Sequence, residues 1–472
     1  MRITTQQLAE QALAAGFAAI VTQFNLPQYF PSPVLTEAEE AIKQFYDHPL
    51  GGSAGNRRDA TDLPLVTLDP PTSTDLDQAF FLEREGDALL LYYALADVAT
   101  FVAAGGLIER EAWNRGVTIY GLASKIPLYP TAISQHAASL LPDGPRPAIL
   151  VVVSIDSGGG LTLRKVERVI CASRAKLAYP TVKLADVAYV EEFADRMWLG
   201  ETKRGAQHFQ FPAQEVIADS AAPGGVRLEL RTPLYSEEVN SALSLAVNMA
   251  IADQLKEARV GLFRVMDEPA MRAIDRLRLE AHALKIEWPP DQPLHALLQR
   301  LEPNNLIHKR FSLMVRRAGG RASYAVYSDE KAPWHSAIGA SYVHATAPMR
   351  RLADRYVLDL SYRLANGQSI PEALKTTINS LPAVMASGSG RARAVEQAVI
   401  DLIEAVSLQH RVGEILKAEV VDADSKIIQT FDSAIRSRAA KLPATVGNGD
   451  IVYVRIDEAD PLQRKVVLTA VS

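Results

Sequence analysis

The sequence predicts an α+β fold: a large mixed α/β body, a small N-terminal helical segment before it and a C-terminal OB-fold β-barrel after it. Three observations carry this. Residues 1–50 hold two helical patterns around a proline-rich break. Residues 57–408 mix apolar runs rich in Val, Ile, Leu and Tyr with longer helical ones. Residues 411–472 hold short β-type runs separated by turn signals, with nine basic and nine acidic residues.

In the first segment, Pro27, Pro31 and Pro33 separate helical runs over 5–24 and 36–46. Thr36 followed by Glu37 and Glu39 reads as a helix start with acidic first-turn residues. Such a pair suits a helix-turn-helix or a simple packing arm. The GGSAGN stretch, residues 51–56, reads as a flexible linker. Strands are expected over 63–68, 88–95 and 148–155, and helices over 237–257, 272–284 and 391–408. In the last segment, strands are expected over 412–420, 426–431, 451–455 and 465–470, with a strong turn at Gly447-Asn448-Gly449-Asp450. Short strands in so few residues suit a small barrel.

Composition narrows the function classes. The 472 residues are 48% hydrophobic and 22% charged, ordinary for a soluble globular chain. The single cysteine, Cys171, excludes an intrachain disulfide and a cysteine-cluster metal site, and reads as a small core residue. It fits a reducing compartment, so a cytoplasmic protein is expected. No run approaches the ~20 apolar residues of a membrane span, and residues 8–21 read as an amphipathic helix rather than a leader. A net charge of −5 argues against a protein coated all over with nucleic acid. It leaves room for a basic channel in an acidic body. Nothing calls for an obligate partner protein, and a monomer is expected.

The most informative stretch is VTLDPPTSTDLDQAF, residues 66–80. A short strand ends at Asp69, and a Pro-Pro-Thr-Ser-Thr loop leads to Asp75 and Asp77. Residues two apart in an extended segment point the same way, so Asp75 and Asp77 can face one ion while the loop brings Asp69 back. Clustered carboxylates repel unless a cation or proton neutralises them. Hard oxygen ligands suit Mg²⁺, with Mn²⁺ as the alternative. The same spacing also suits a polar turn with capping aspartates.

A second stretch, YVHATAPMRRLADRY (342–356), places Arg350 and Arg351 after a Pro-Met turn. Arginine clamps phosphate through two parallel donors; a solvated helix face paired with Asp354 is the plainer reading. His344 reads as a packed or hydrogen-bonded residue. Tyr120 and Tyr179 each lie close to Arg or Lys, the arrangement of a base-stacking platform, although lone tyrosines are commonly core residues.

Taken together and in this order, these blocks resemble the ribonuclease II and ribonuclease R family of 3′-to-5′ exoribonucleases, from about residue 57 to the end. The GVTIYGLASKIPLYPTAISQHAASLLPDGPRPA and SRAKLAYPTV stretches between them match as well. Behind the small helical segment at 1–50, the resemblance implies two units: a ribonuclease catalytic domain at 57–408 and an S-one-type OB-fold at 411–472 that binds RNA. It implies metal-dependent hydrolysis of single-stranded RNA to nucleoside 5′-monophosphates. Asp69, Asp75 and Asp77 match the acidic centre and Arg350 the phosphate clamp. Tyr120, Tyr179 and Glu396 match groups around the terminal nucleotides, with Arg351 beside them. Two departures stand out. Gln78 stands where the family has a fourth aspartate, offering a neutral carbonyl to a metal. Residues 1–50 cannot hold the two cold-shock barrels that usually come first, so the RNA entrance is expected to be more open. The alternative reading is a catalytically weakened RNA-binding regulatory protein.

Overall fold

The computed structural model describes residues 5–47, 57–121, 125–206, 213–302, 305–443 and 445–471. The expected linker at 51–56 lies outside the described residues.

Two helices lead: α1 (Thr5–Gln23) and α2 (Ser32–Asp47). Helix α2 begins four residues before the expected start at Thr36. Pro33 fits its first turn because the amide that proline lacks has no helical partner there anyway. Glu37, expected as a first-turn acid of its own helix, serves another. It accepts from the amides of Leu107 (2.7 Å) and Ile108 (3.2 Å), the open N-terminal donors of the helix α3 described below.

The body is built on a closed five-stranded barrel. Its strands are β1 (Arg58–Asp69), β2 (Gln78–Glu85) and β3 (Ala88–Ala96), then, after α3 (Leu107–Arg115) and the small hairpin β4 (Ile119–Tyr120) and β5 (Lys125–Ile126), β6 (Arg146–Ile155) and β7 (Leu161–Ala178). Neighbours run β1-β2-β3-β6-β7, and β1 closes on β7 in parallel, with Asp69 opposite Ala178. The sequence reading found β1, β3 and β6 but neither β2 nor β7. In β2 a short apolar run gives way to three charged residues, and in β7 paired charges break the alternation, so their strand signal is weaker. Every residue of β6 is buried, and Cys171 in β7 is core, with burial pushing its thiol up to about 12.

Helices cover the barrel. After α4 (Val190–Arg204) and the hairpin β8 (Ala213–Ala218) and β9 (Val226–Arg231) comes the long α5 (Tyr235–Glu257). Then follow β10 (Leu262–Val265), α6 (Met271–Ala283), α7 (Leu294–Leu298), α8 (Leu306–Ala318), β11 (Ser323–Val326) and α9 (Leu352–Ala365). Helices α4, α5 and α9 pack on β6 and β7. Helix α10 (Glu372–Leu408) extends far upstream of the expected start at Arg391 and carries Pro382 inside. The proline and the nearby glycines argued for a break, but packing against α1, α3 and α9 holds the helix together. Gly388 allows the close approach there, since a β-carbon would meet the backbone at Arg115 O and Gly116 Cα at 3.3 Å.

The chain ends in a second closed barrel: β12 (Ile415–Asp422), β13 (Ile427–Thr430), β14 (Arg436–Ala440), β15 (Ile451–Asp460) and β16 (Lys465–Val471), in the order β12-β13-β14-β16-β15. This is the expected small barrel. Strand β14, RSRAA, escaped the sequence reading because it has no apolar alternation. Leu408 at the end of α10 sits in this barrel's core.

Candidate active site

The Pro-Pro loop between β1 and β2 is fixed at both ends. Lys176 Nζ donates to Pro71 O (2.7 Å) and Ser73 O (2.6 Å). Ser139 Oγ donates to Thr74 O (2.7 Å) and accepts from the Leu76 amide (2.9 Å). The loop therefore returns to the barrel rim in one shape, and Asp69, Asp75, Asp77 and Gln78 all line one cavity of about 380 Å³. Tyr120, Tyr179, Arg350 and Arg351 line it too.

Asp77 is buried. Its Oδ1 accepts from the Met349 amide (2.8 Å), and its Oδ2 faces Arg350 Nε at 3.4 Å. The loop carrying Met349 and Arg350 is set by Arg351, which chelates Asp354 through Nε (3.0 and 3.1 Å) and Nη2 (2.7 Å). Asp354 also accepts from the Ala347 amide. Arg351 is thus committed to Asp354, whereas the Arg350 side chain is 49% exposed into the cavity. The expected Arg351–Asp354 pair is present, but it is largely buried and not part of a solvated helix face (25% and 0% exposed), and Arg350 is the arginine that faces the cavity.

Burial dominates the electrostatics. It pushes the Asp69 carboxyl up to about 6 and the Asp77 carboxyl up to about 7, against the pull of Arg350 on both. Asp69 Oδ2 is buried without a hydrogen-bond partner. Asp75 is held by Lys125 Nζ at 2.6 Å. Among the described residues, no three His, Cys, Asp or Glu side chains converge as a closed metal cage. The buried Asp77 and the half-buried Asp69 with its orphaned oxygen still suit Mg²⁺, which commonly takes one or two carboxylates and completes its shell with water and phosphate. Gln78 Oε1, expected as a ligand, already accepts from buried Tyr93 OH at 2.7 Å.

Helix α5 supplies residues that the sequence reading missed. Asn240, Ser244 and Asn248, four apart, face the cavity from an otherwise apolar buried helix, with Ser241 beside them. That polar stripe was the available signal. Asn240 donates to Tyr179 OH (2.8 Å), and its own Oδ1 is buried without a partner. Asn248 donates to Thr346 Oγ1 (3.1 Å) and accepts from the Ala345 amide (2.8 Å). His344 is bonded to Tyr324 OH (2.7 Å), the packed role expected of it. Tyr120 is 53% exposed. Glu396 is not brought to the cavity wall. It stands exposed on α10, a helix that also packs against β4.

A carboxylate cluster on a barrel rim, faced by an arginine and flanked by tyrosines, sits in a helix-wrapped barrel with an appended OB-type barrel. The RNB domain model matches residues 57–365, and the chain belongs to this family, the ribonuclease II and R group. It is 25% identical to ribonuclease R of Thermotoga maritima over 430 residues, 86% of this chain and 60% of that protein. The chain therefore spans less than two thirds of that relative's length. Ribonuclease R of Mycoplasma genitalium, solved with ribose-methylated single-stranded RNA, superposes with a TM-score of 0.85 at 19% identity, covering 98% of this chain and 78% of that one. The fold is also shared with yeast Ssd1, a pseudonuclease (TM-score 0.62, 17% identity, 85% of this chain and 52% of that one).

Proposed function

We propose that the chain is a 3′-to-5′ exoribonuclease that hydrolyses single-stranded RNA to nucleoside 5′-monophosphates. The observation that carries the reading is the convergence of Asp69, Asp75, Asp77 and Arg350 on one cavity between Tyr120 and Tyr179. In the reaction a water oxygen bonds to phosphorus and the bond to the preceding 3′-oxygen breaks. That oxygen ends as a hydroxyl with a proton that came from water.

Asp69 and Asp77 would hold a divalent ion, Mg²⁺ or Mn²⁺, with Asp75 beside them and the Gln78 carbonyl as a further ligand. Such an ion supplies activation of water and charge neutralisation at the phosphate. Arg350 meets the charge that develops on the phosphate oxygens. Tyr120 and Tyr179 offer faces to the terminal bases. Arg351 positions Arg350.

The second barrel serves as the RNA grip. Phe431 (58% exposed) and Tyr453 (54% exposed) stand on its surface, with Lys417 Nζ 5.4 Å from the Phe431 ring. Aromatic faces beside a cation bind single strands without reading sequence. A cytoplasmic monomer acting in RNA degradation completes the proposal; among the described residues, no helix is long and apolar enough to cross a membrane.

A weakened RNA-binding protein is the other reading, prompted by Gln78. The presence of all three carboxylates with Arg350 counts against it. Incubation of 5′-labelled single-stranded RNA with the protein and Mg²⁺ tests the choice. Progressive shortening from the 3′ end with nucleoside 5′-monophosphate release is expected. Tight binding without shortening would overturn the proposal.

A further inference from the structure

Among the charged residues that touch the acidic centre, Lys125, from the GVTIYGLASKIPLYP stretch, has no part in the function proposed above. It sits on β5, paired across the hairpin with Tyr120 on β4. Its Nζ lies 2.6 Å from Asp75 Oδ1, and the two side chains are only 22% and 16% exposed. A surface ion pair between flexible partners would count for little. This one places a fixed ammonium on a carboxylate of the reaction centre.

The local charge gives the pairing a consequence. Asp69, Asp75 and Asp77 supply three negative charges. Arg350 and Lys125 return two positive ones, and Gln78 adds none while its carbonyl accepts from Tyr93. One divalent ion already takes this balance past neutrality. A second would meet net positive charge at short range and a carboxylate already engaged by lysine.

We propose that Lys125 takes the place of a second divalent cation, so that this chain carries out phosphodiester hydrolysis with one. The inference rests on the nuclease reading above. Lys125 acts through Asp75 as a positioning residue and forms no bond to the substrate. Its ammonium neutralises the side of the site where a second ion would sit, and β5 keeps it in register with Tyr120. Its neutral replacement should leave Asp75 free to face an ion.

The test counts Mn²⁺ bound to metal-free, full-length protein by equilibrium dialysis and follows Mn²⁺ activation on a short single-stranded RNA. The wild-type chain should bind one Mn²⁺, with a hyperbolic activation curve. Lys125→Met should tighten Mn²⁺ binding on the order of tenfold, since one nearby positive charge is removed, and should lower turnover. Lys125→Met combined with Gln78→Asp should bind two Mn²⁺ and turn the activation curve sigmoidal. Lys125→Arg should keep one Mn²⁺ and the hyperbolic curve. A lysine that merely braces the hairpin would leave Mn²⁺ affinity unmoved or weaken it. Should the double variant fail to fold by circular dichroism, the affinity of Lys125→Met alone decides. Two Mn²⁺ on an active wild-type chain, or unchanged affinity in Lys125→Met, overturns the role of Lys125 and leaves the nuclease reading standing. A wild-type chain that binds no Mn²⁺ and releases no nucleotide overturns the nuclease reading itself.

Discussion

The chain closes two five-stranded barrels that differ in how deeply their most central strands are buried. In the first, β6 is buried at all ten positions and helices lie on its outer surface. In the second, β12 and β15 alternate buried with exposed residues, and Tyr453 on β15 and Phe431 just after β13 stand in solvent. A strand buried on both faces needs an outer layer of helices, and that layer lets carboxylates at the rim be buried and shifted. A half-exposed strand can instead offer rings and cations to a ligand. Under the proposed function, the difference would place chemistry in the first barrel and grip in the second.

The largest expected effect comes from Asp77, the buried carboxylate tied to Met349 and Arg350. Asp77→Asn should lower turnover by about 10³-fold or more, while RNA affinity changes little, because phosphate and base contacts along the strand supply most of it. Near-normal turnover at saturating RNA and Mg²⁺ would break the assignment of chemistry to the first barrel.

Arg350→Ala comes next, with a loss on the order of 10²-fold in turnover, the scale of removing one transition-state charge stabiliser. Lysine should rescue in part, since it lacks the planar fork. If alanine raises only the Michaelis constant, Arg350 grips substrate and takes no part in the chemical step.

The smallest effect lies at the junction of the two barrels. Glu404 on α10 is buried and accepts from Gln214 Nε2 (3.2 Å) and from the Arg436 amide of β14 (3.0 Å). Burial pushes its carboxyl up to about 7, against those hydrogen bonds. The folded value lies above the unfolded one. The protonated form therefore stabilises the fold fully at pH below the unfolded value, and this contribution is lost as pH rises through 7. Glu404→Gln should remove that loss. Denaturant melts at pH 8 should favour the variant by on the order of 1–3 kcal/mol, with the gap closing by pH 5. A gap independent of pH would mean that Glu404 is ionised throughout.

Much of the first barrel's site was legible because its signals are local. Asp75 and Asp77 show their shared direction in their spacing, and Arg350 follows a turn. Lys125 was not legible as a partner of Asp75, because a hairpin tip and a loop meet only once the barrel closes. The engagement of Gln78 by Tyr93 is likewise a cross-strand event between β2 and β3. Helix α10 was read short because Pro382 is a local breaker overruled by packing. Strand β14 was missed because its charged residues carry no alternation, and the barrel supplies its pairing from β13 and β16.

The division of labour is tested most directly by crossing two full-length variants, Asp77→Asn and the double substitution Phe431→Ala/Tyr453→Ala, in one assay. Binding of a long single-stranded RNA and turnover of a short oligomer are measured for both. The double variant should bind the long RNA about tenfold more weakly or worse, given ~1–3 kcal/mol per stacked base, and should still turn over the short oligomer. Asp77→Asn should show the reverse pattern. Equal loss of both activities in either variant would contradict the account, because the two barrels would then act as a single site.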